Sequence, residues 1–350
     1  MVKFNVKVGV NMTVNGDDAL KTKGENKSKI KRVGVLTSGG DAPGMNAATR
    51  SVVRACCYYG IEVFGIHKGY EGLLAGDMFP MTIRSVSDTI QRGGTALQTA
   101  RCPQFNTPEG VKQGRKMADV FKLDALVVIG GDGSFRGGLD LSREGLPIIG
   151  IPATIDNDIG CTEYTIGYDT CMNTVREAID KIKDTASSHD RCSVIEVMGR
   201  NAGYIALSCA IAGGAEVCLL PEQKYDLETD VIQPILECRN RGKHHYVVIV
   251  AEGIGHSFEL SKQIKDITGI STTTTILGHI QRGGSPTVKD RVMAGLMGVK
   301  AVQCLVAGEV NKVIAAKGGD KCVAIDIEEA LATKKTLDEE MLLANEILSL

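Results

Sequence analysis

The sequence predicts an α/β fold with mainly parallel sheets, and three observations carry that prediction. Residues 125–129 form an apolar run with adjacent valines, the mark of a strand buried on both faces. A glycine turn, a helical stretch and a second buried run at residues 146–151 follow, which is the order of a βαβ unit. The chain carries 41 glycines and only 4 % aromatic residues, a balance suited to many tight strand-to-helix turns. Its 350 residues suffice for one large or two moderate domains.

The turn after the first run is Gly130-Gly131-Asp132-Gly133-Ser134. Glycines there let main-chain N–H groups approach phosphate oxygens, Ser134 is placed to cap the next helix, and a helix start is an anion site. Asp132 stands where a Mg²⁺ on a polyphosphate takes a hard oxygen ligand. The second run leads into Pro152-Ala153-Thr154-Ile155-Asp156-Asn157-Asp158. Neighbouring parallel strands would set Asp132, Asp156 and Asp158 at one carboxyl edge, where α/β folds bind ligands. One motif offers phosphate and metal ligation. The other offers a carboxylate able to take a proton from a hydroxyl. Each motif alone reads as an ordinary turn; their pairing across one βαβ unit is what points to chemistry.

Composition narrows the classes. A formal net charge of −2 gives no argument for a nucleic-acid or membrane partner, and no apolar run is long enough to span a bilayer. The 11 cysteines are odd in number, scattered and without Cys-x-x-Cys spacing, so reduced thiols in a cytoplasmic protein are expected. No internal repeat is visible.

Residues 1–29 read as an extension, with a short alternating strand at residues 3–8 and a polar linker at 15–28; no signal-peptide or transit pattern is present. Residues 33–37 are a buried strand, residues 38–44 a second glycine turn, and residues 45–59 a helix that sets Arg50 and Arg54 on one face. A strand at 61–66 and loops around Gly93-Gly94 and Arg101-Cys102-Pro103 follow; Pro103 keeps Arg101 in an extended loop. A long helix is expected over 170–188, with Gly167 marking the crossing to a second, smaller lobe. Strands are expected over Cys192–Val197, 217–220 and 246–250, a helix over 226–242, a further Ala-rich helix, a strand near 322–325 and a terminal helix from about Asp338.

Thr37-Ser38-Gly39-Gly40-Asp41, the GGDGS turn, the TIDND stretch and Gly278-His279-Ile280-Gln281-Arg282-Gly283-Gly284, with Asp290-Arg291 behind it, occur in one order. In that order they resemble the bacterial-type ATP-dependent 6-phosphofructokinases, from about Lys31 to the C-terminus. The resemblance implies two similar three-layer α/β lobes with the active site in the cleft between them. Residues 30–168 with about 280–334 would form the larger, ATP-binding lobe. About 169–279 with 335–350 would form the smaller, fructose 6-phosphate-binding lobe. It implies phosphoryl transfer from Mg·ATP to the sugar 1-hydroxyl, the committed step of glycolysis, in a homotetramer under allosteric control.

Residue by residue, the resemblance makes Asp156 the base, with Asp158 orienting it or the metal, Thr154 at the incoming hydroxyl, and Gly40, Arg101 and Arg200 on the transferring group. Gly40, Tyr70, Arg101, Cys102, Asp132, Gly133, Ser134 and Gly137 would bind ATP, Asp132 through Mg²⁺. Thr154, Ile155, Asp156, Arg191, Met198, Gly199, Arg200, Glu252, His279 and Arg282 would bind the sugar phosphate, His279 and Arg282 at its 6-phosphate. Arg50, Arg54, Lys183, Gly214, Glu216, Arg241, Lys243 and His244 would bind a phosphorylated effector. In the family, Arg191 and the residue at Thr273 reach a neighbouring chain's site.

This sequence departs from the pattern at Thr273, where the family has Arg or Lys, at Lys183, where it has Arg, and at Ile83, where a further Arg lies. Pyrophosphate-using relatives carry Asp and Lys where this chain has Gly133 and Ala153, so the small residues favour ATP. A pyrophosphate-dependent enzyme and a non-catalytic sugar-phosphate or nucleotide sensor are the alternatives.

Overall fold

The structure is a computed structural model that describes residues 29–349. The strand at residues 3–8 and the linker at 15–28 expected from sequence lie outside the described residues.

The chain opens with β1 (Arg32–Thr37), α1 (Met45–Tyr58), β2 (Glu62–Ile66), α2 (Tyr70–Ala75) and β3 (Met78–Met81). It continues through α3 (Pro108–Val120), β4 (Ala125–Gly130), α4 (Asp132–Arg143), β5 (Ile148–Pro152) and α5 (Tyr168–Ser187). Next come β6 (Cys192–Val197), α6 (Tyr204–Gly213), β7 (Val217–Leu219), α7 (Gln233–Asn240), β8 (Tyr246–Ala251), α8 (Ser257–Thr268) and β9 (Thr272–Ile276). The last elements are α9 (Val288–Ala307), β10 (Lys312–Lys317), β11 (Lys321–Asp326), α10 (Ile327–Ala332) and α11 (Glu339–Leu348).

Seven strands form one sheet in the order β11-β10-β5-β4-β1-β2-β3, and four form a second in the order β7-β8-β6-β9. Only the outer strands β3 and β11 of the larger sheet run antiparallel; the smaller sheet is parallel throughout. Every residue of β4 and β5 is buried, as the unbroken apolar runs predict. Helices cover both faces of each sheet. One apolar cluster runs from beneath α1 and α9 on the larger sheet to beneath α5 and α6 on the smaller one. The opposite faces hold their own clusters, under α2, α3, α4 and α10 and under α7 and α8. The α/β architecture with two sandwiched, mainly parallel sheets is therefore the one expected.

Register decides where chemistry can sit. Thr37 pairs with Ile129 and Gly130 with Pro152, so the turns after β1, β4 and β5 emerge at one edge. In the smaller sheet Val197 pairs with Ala251 and Glu196 with Ile276, so Met198, Glu252 and Leu277 share an edge too.

Several local expectations are corrected. Ser134 does not cap α4: the helix starts at Asp132, Gly131 takes the cap position, and Ser134 is the third residue of the first turn. The helix expected over 226–242 divides into a wide turn at Glu228–Ile232 and α7. Pro234 brings no N–H to the ladder, and the turn before it widens. Beyond the expected elements the structure adds β3, α2, α3, α8, β9, β10 and α10, the edge strand β9 being a run of threonines too polar to read as buried.

Candidate active site

The first glycine turn is held from below and beside. Ser38 N donates to the Ile129 carbonyl at 3.0 Å, which fastens the turn to β4. Thr99 Oγ1 donates to the Gly39 carbonyl at 2.6 Å, and Thr37 Oγ1 to the Gln98 carbonyl at 2.7 Å. The loop carrying exposed Arg101 and half-buried Cys102 is thus tied to the turn it would serve. A Cβ on Gly40 would stand 2.5 Å from Arg282 Nη1. The same Nη1 donates to the Asp41 carbonyl at 3.1 Å. Arg282 therefore sits against the first glycine turn.

α4 presents its N-terminus at the same edge, and Asp132 is its first residue. Burial raises the Asp132 carboxyl above its usual range, Asp158 adds to the rise, and Arg136 opposes it. No atom lies within 4 Å of a Cβ built on Gly133, so the space there is open. Tyr70 is buried. Its hydroxyl donates to the Ser134 carbonyl at 2.5 Å and its ring stacks on Phe105 at 4.1 Å. A Cβ on Gly137 would come 3.0 Å from that ring. Tyr70 thus props α4 from within the fold. The Ser134 hydroxyl is buried and has no partner.

Asp156 is the focus of the edge. It is 3 % exposed, and burial pushes its carboxyl up to about 6. Asp158 and Glu252 push the same way, while Arg282 and Arg200 pull down. Its Oδ1 has no partner within the protein, and Thr154 Oγ1 accepts from Asp156 N at 3.2 Å. Ile155 is fully buried, so its side chain belongs to the core.

The smaller sheet supplies the facing wall. Arg200 holds φ +54, a strained conformation for a side-chain residue. Gly199 N and Arg200 N donate to Glu252 Oε1 at 3.2 and 2.6 Å, and Arg200 Nε reaches within 3.8 Å of Asp156 Oδ2. Gln281 is wholly buried; its Oε1 accepts from Met198 N at 3.1 Å, fastening the GHIQRGG loop to the Met198 turn. His279 is exposed on that loop. Sequence reading missed Gln281 as an organiser, because a glutamine inside a glycine-rich loop gives no sign that it is buried.

Arg191 and Thr273 do not join this group. Arg191 precedes β6, and Thr273 pairs with Ser193 at the start of the same sheet. At about 3.3 Å per residue, Thr273 stands about five residues of strand and Arg191 about seven from the edge that carries Met198. The residues read as an effector site also divide. Lys183 Nζ donates to the Gly213 carbonyl at 2.8 Å, next to Gly214. Glu216 pairs with Lys243 and accepts from Val247 N at 2.6 Å. Arg241 pairs with Glu237 at 3.6 Å and His244 faces Asp190 at 3.7 Å. Arg50 and Arg54 lie on α1, in the helix layer of the larger sheet.

Parallel strands from two sheets thus converge carboxylates, arginines and glycine turns, which defines a two-lobed α/β protein equipped to handle a phosphorylated ligand. Residues 32–305 match the family model described as phosphofructokinase. The chain is 52 % identical over 312 residues to an ATP-dependent 6-phosphofructokinase of Clostridium botulinum strain Hall, covering 89 % of this chain and 97 % of that one. It is 51 % identical over 312 residues to an ATP-dependent 6-phosphofructokinase of Bacillus mycoides, with the same coverage. A phosphofructokinase structure from Saccharomyces cerevisiae superposes with a TM-score of 0.82 at 33 % identity, over 91 % of this chain and 48 % of that one. The chain therefore spans about half the length of the yeast subunit. This chain belongs to the phosphofructokinase family.

Proposed function

We propose that the chain is an ATP-dependent 6-phosphofructokinase, converting ATP and fructose 6-phosphate to ADP and fructose 1,6-bisphosphate. The observation that carries this reading is Asp156, a buried carboxyl raised to about 6 between two arginines at the edge where α4 begins. A base with that value is largely ionised at neutral pH and still accepts a proton readily. Asp156 takes the proton of the sugar 1-hydroxyl, with Thr154 beside it. Arg200 and Arg282 carry positive charge to the transferring group, and the N–H of Gly40 donates to it.

Among the described residues no three His, Cys, Asp or Glu side chains group to hold a metal ion. A single half-buried carboxylate, Asp132, at a helix start suits Mg²⁺ that arrives on phosphates rather than in a protein cage. Asp132 would hold that ion, which supplies neutralisation of phosphate charge. Open space at Gly133 supports ATP over pyrophosphate as donor.

The far placement of Arg191 and Thr273 supports a shared site in which they serve a neighbouring chain of a homotetramer. Lys183, Gly214, Glu216 and Lys243 offer half of an effector pocket, with Arg50, Arg54, Arg241 and His244 as further cations for a phosphorylated effector. Among the described residues no helix is long and apolar enough to cross a membrane, and the reading places the enzyme in the cytoplasm.

Initial rates against fructose 6-phosphate with saturating Mg·ATP, beside a matched series with Mg·pyrophosphate, test the reading. Turnover with ATP is expected. Turnover with pyrophosphate instead reverses the donor, and ligand binding without turnover makes the chain a sensor.

A further inference from the structure

Lys335 lies between α10 and α11, remote in sequence from every motif of the cleft. Its Nζ donates to the Asn157 carbonyl at 2.8 Å and to the Glu163 carbonyl at 3.4 Å. The same ammonium stands 5.1 Å from the centroid of the Tyr204 ring. Asn157 is the residue between Asp156 and Asp158, and it holds a left-handed φ of +51. Tyr204 opens α6 just after the turn that carries Arg200. One side chain therefore touches the acidic loop of the larger sheet and the helix start of the smaller one.

The acidic loop otherwise closes with neutral bonds. Thr165 Oγ1 donates to the Thr154 carbonyl at 2.7 Å, and Asn157 Nδ2 donates to the Glu163 carbonyl at 3.4 Å. The ammonium, on the Asn157 and Glu163 carbonyls, adds a charged donor to this loop, about twice as strong as a neutral one. The segment that delivers it is pressed onto the loop: a Cβ on Gly160 would fall 1.9 Å from the Thr333 carbonyl oxygen. The charged groups that face the ammonium are Asp158 and Glu163 from the loop and Lys317 from β10, beside the Cys161 thiol, which burial keeps neutral.

We propose that Lys335 is a positioning residue for phosphoryl transfer. Its ammonium fixes the left-handed turn at Asn157, and with it the aim of Asp156 and Asp158, while its seat on Tyr204 ties that loop to the wall carrying Arg200. This rests on the kinase reading above. A displacement of about 1 Å at a base costs roughly 100-fold in rate, so a staple on the adjacent peptide bears on kcat rather than on substrate affinity.

The test compares wild type, Lys335→Met and Lys335→Arg in initial-rate assays with Mg·ATP and fructose 6-phosphate, with thermal unfolding alongside. Lys335→Met keeps the stem against Tyr204 and removes the charge. It is expected to lose about 10- to 100-fold in kcat, with both KM values and the unfolding midpoint nearly unchanged. Lys335→Arg is expected to keep most of kcat. Lys335→Ala is expected to regain activity on addition of ethylammonium, a readout that does not depend on the Met variant folding. A Met variant with wild-type kcat, a loss confined to KM, or an Arg variant as poor as Met together with no amine rescue would each overturn the proposal. Wild type that turns over neither donor removes the kinase reading and this inference together; active wild type with an unimpaired Met variant removes this inference alone.

Discussion

Arg200 Nε stands 3.8 Å from Asp156 Oδ2, yet the carboxyl it faces is raised rather than lowered. Arg200 is 65 % exposed and Asp156 only 4 % by side chain. Water screens the guanidinium, while the carboxylate has lost its own hydration, so burial outweighs the ion pair. The pair sets a base that is weakly held as an anion, which is what proton abstraction near neutral pH needs.

The pH profile follows from that balance. Asp156 must be ionised to act, so kcat/KM should rise tenfold per pH unit toward a limb near the value of about 6. Arg200 lowers that value and Asp158 raises it. Arg200→Leu should move the limb to higher pH and Asp158→Asn to lower pH. Rate profiles from pH 5 to 8 would show opposite displacements; a common direction would refute the assignment of the limb to Asp156.

Asp156→Asn should trade activity for stability. Removing the base should cost about 10²- to 10⁴-fold in kcat. The folded carboxyl takes its proton at about 6, against an ordinary value of 3.8. The contribution of Asp156 to wild-type stability is therefore fully present below 3.8 and is lost as pH rises through about 6. The amide escapes that loss, by an amount on the order of 3 kcal/mol at pH 8. Denaturant midpoints should show the variant more stable at pH 8 and level with wild type at pH 4. Equal midpoints at both would show that Asp156 is not held against its ionisation.

How far the site could be read from sequence depended on distance along the chain. The βαβ unit from β4 to β5 was legible because both its strands are unbroken apolar runs, and it alone sets Asp132, Asp156 and Asp158 on one edge. Strands with a solvated face, such as β9, gave no such run. Arg282 was found by its motif, but its seat against Gly40 joins parts of the chain that no local pattern connects. That Tyr70 lies buried beneath α4 is not legible either, because a motif marks a position and not the direction its side chain takes. Lys335 belongs to no motif and became visible only through its bond to Asn157.

Glu252 carries a second duty beside any bond to the sugar. Its Oε1 accepts from Gly199 N and Arg200 N, which stabilises the left-handed turn at Arg200. Glu252→Gln keeps an oxygen acceptor and should keep most of kcat. Glu252→Ala leaves the turn unsupported and should lose about 10- to 100-fold in kcat, because Arg200 is then misplaced. A sugar ligand alone would raise KM in both variants with kcat unchanged, so steady-state kinetics separate the two roles.

Gly133 tests donor choice. A Cβ there meets nothing within 4 Å, so Gly133→Asp should fold as wild type does. The new carboxylate would occupy open space beside Asp132 and repel the donor's phosphates. The KM for ATP should rise by about tenfold or more, the effect of one like-charge contact of roughly 1.4 kcal/mol, while the KM for fructose 6-phosphate stays near its wild-type value. An unchanged KM for ATP would mean that the nucleotide does not pass this position.

Thr273 is exposed near the start of β9, paired with Ser193 and far from its own chain's cleft. On the reading proposed above, this position faces the sugar 6-phosphate of a neighbouring chain, where the sequence resemblance implies an arginine or lysine. A charged hydrogen bond to phosphate is worth about 1.5–3 kcal/mol, or roughly 10- to 150-fold in affinity. Thr273→Arg should therefore lower the KM for fructose 6-phosphate by up to that factor and leave the KM for ATP alone. The gain should need the oligomer: it should fade on dilution as assembled mass, followed by sedimentation, gives way to single chains. A lowered KM that survives dissociation would place the new arginine on its own chain's substrate, and an unchanged KM in the assembled enzyme would mean that Thr273 does not face a sugar phosphate.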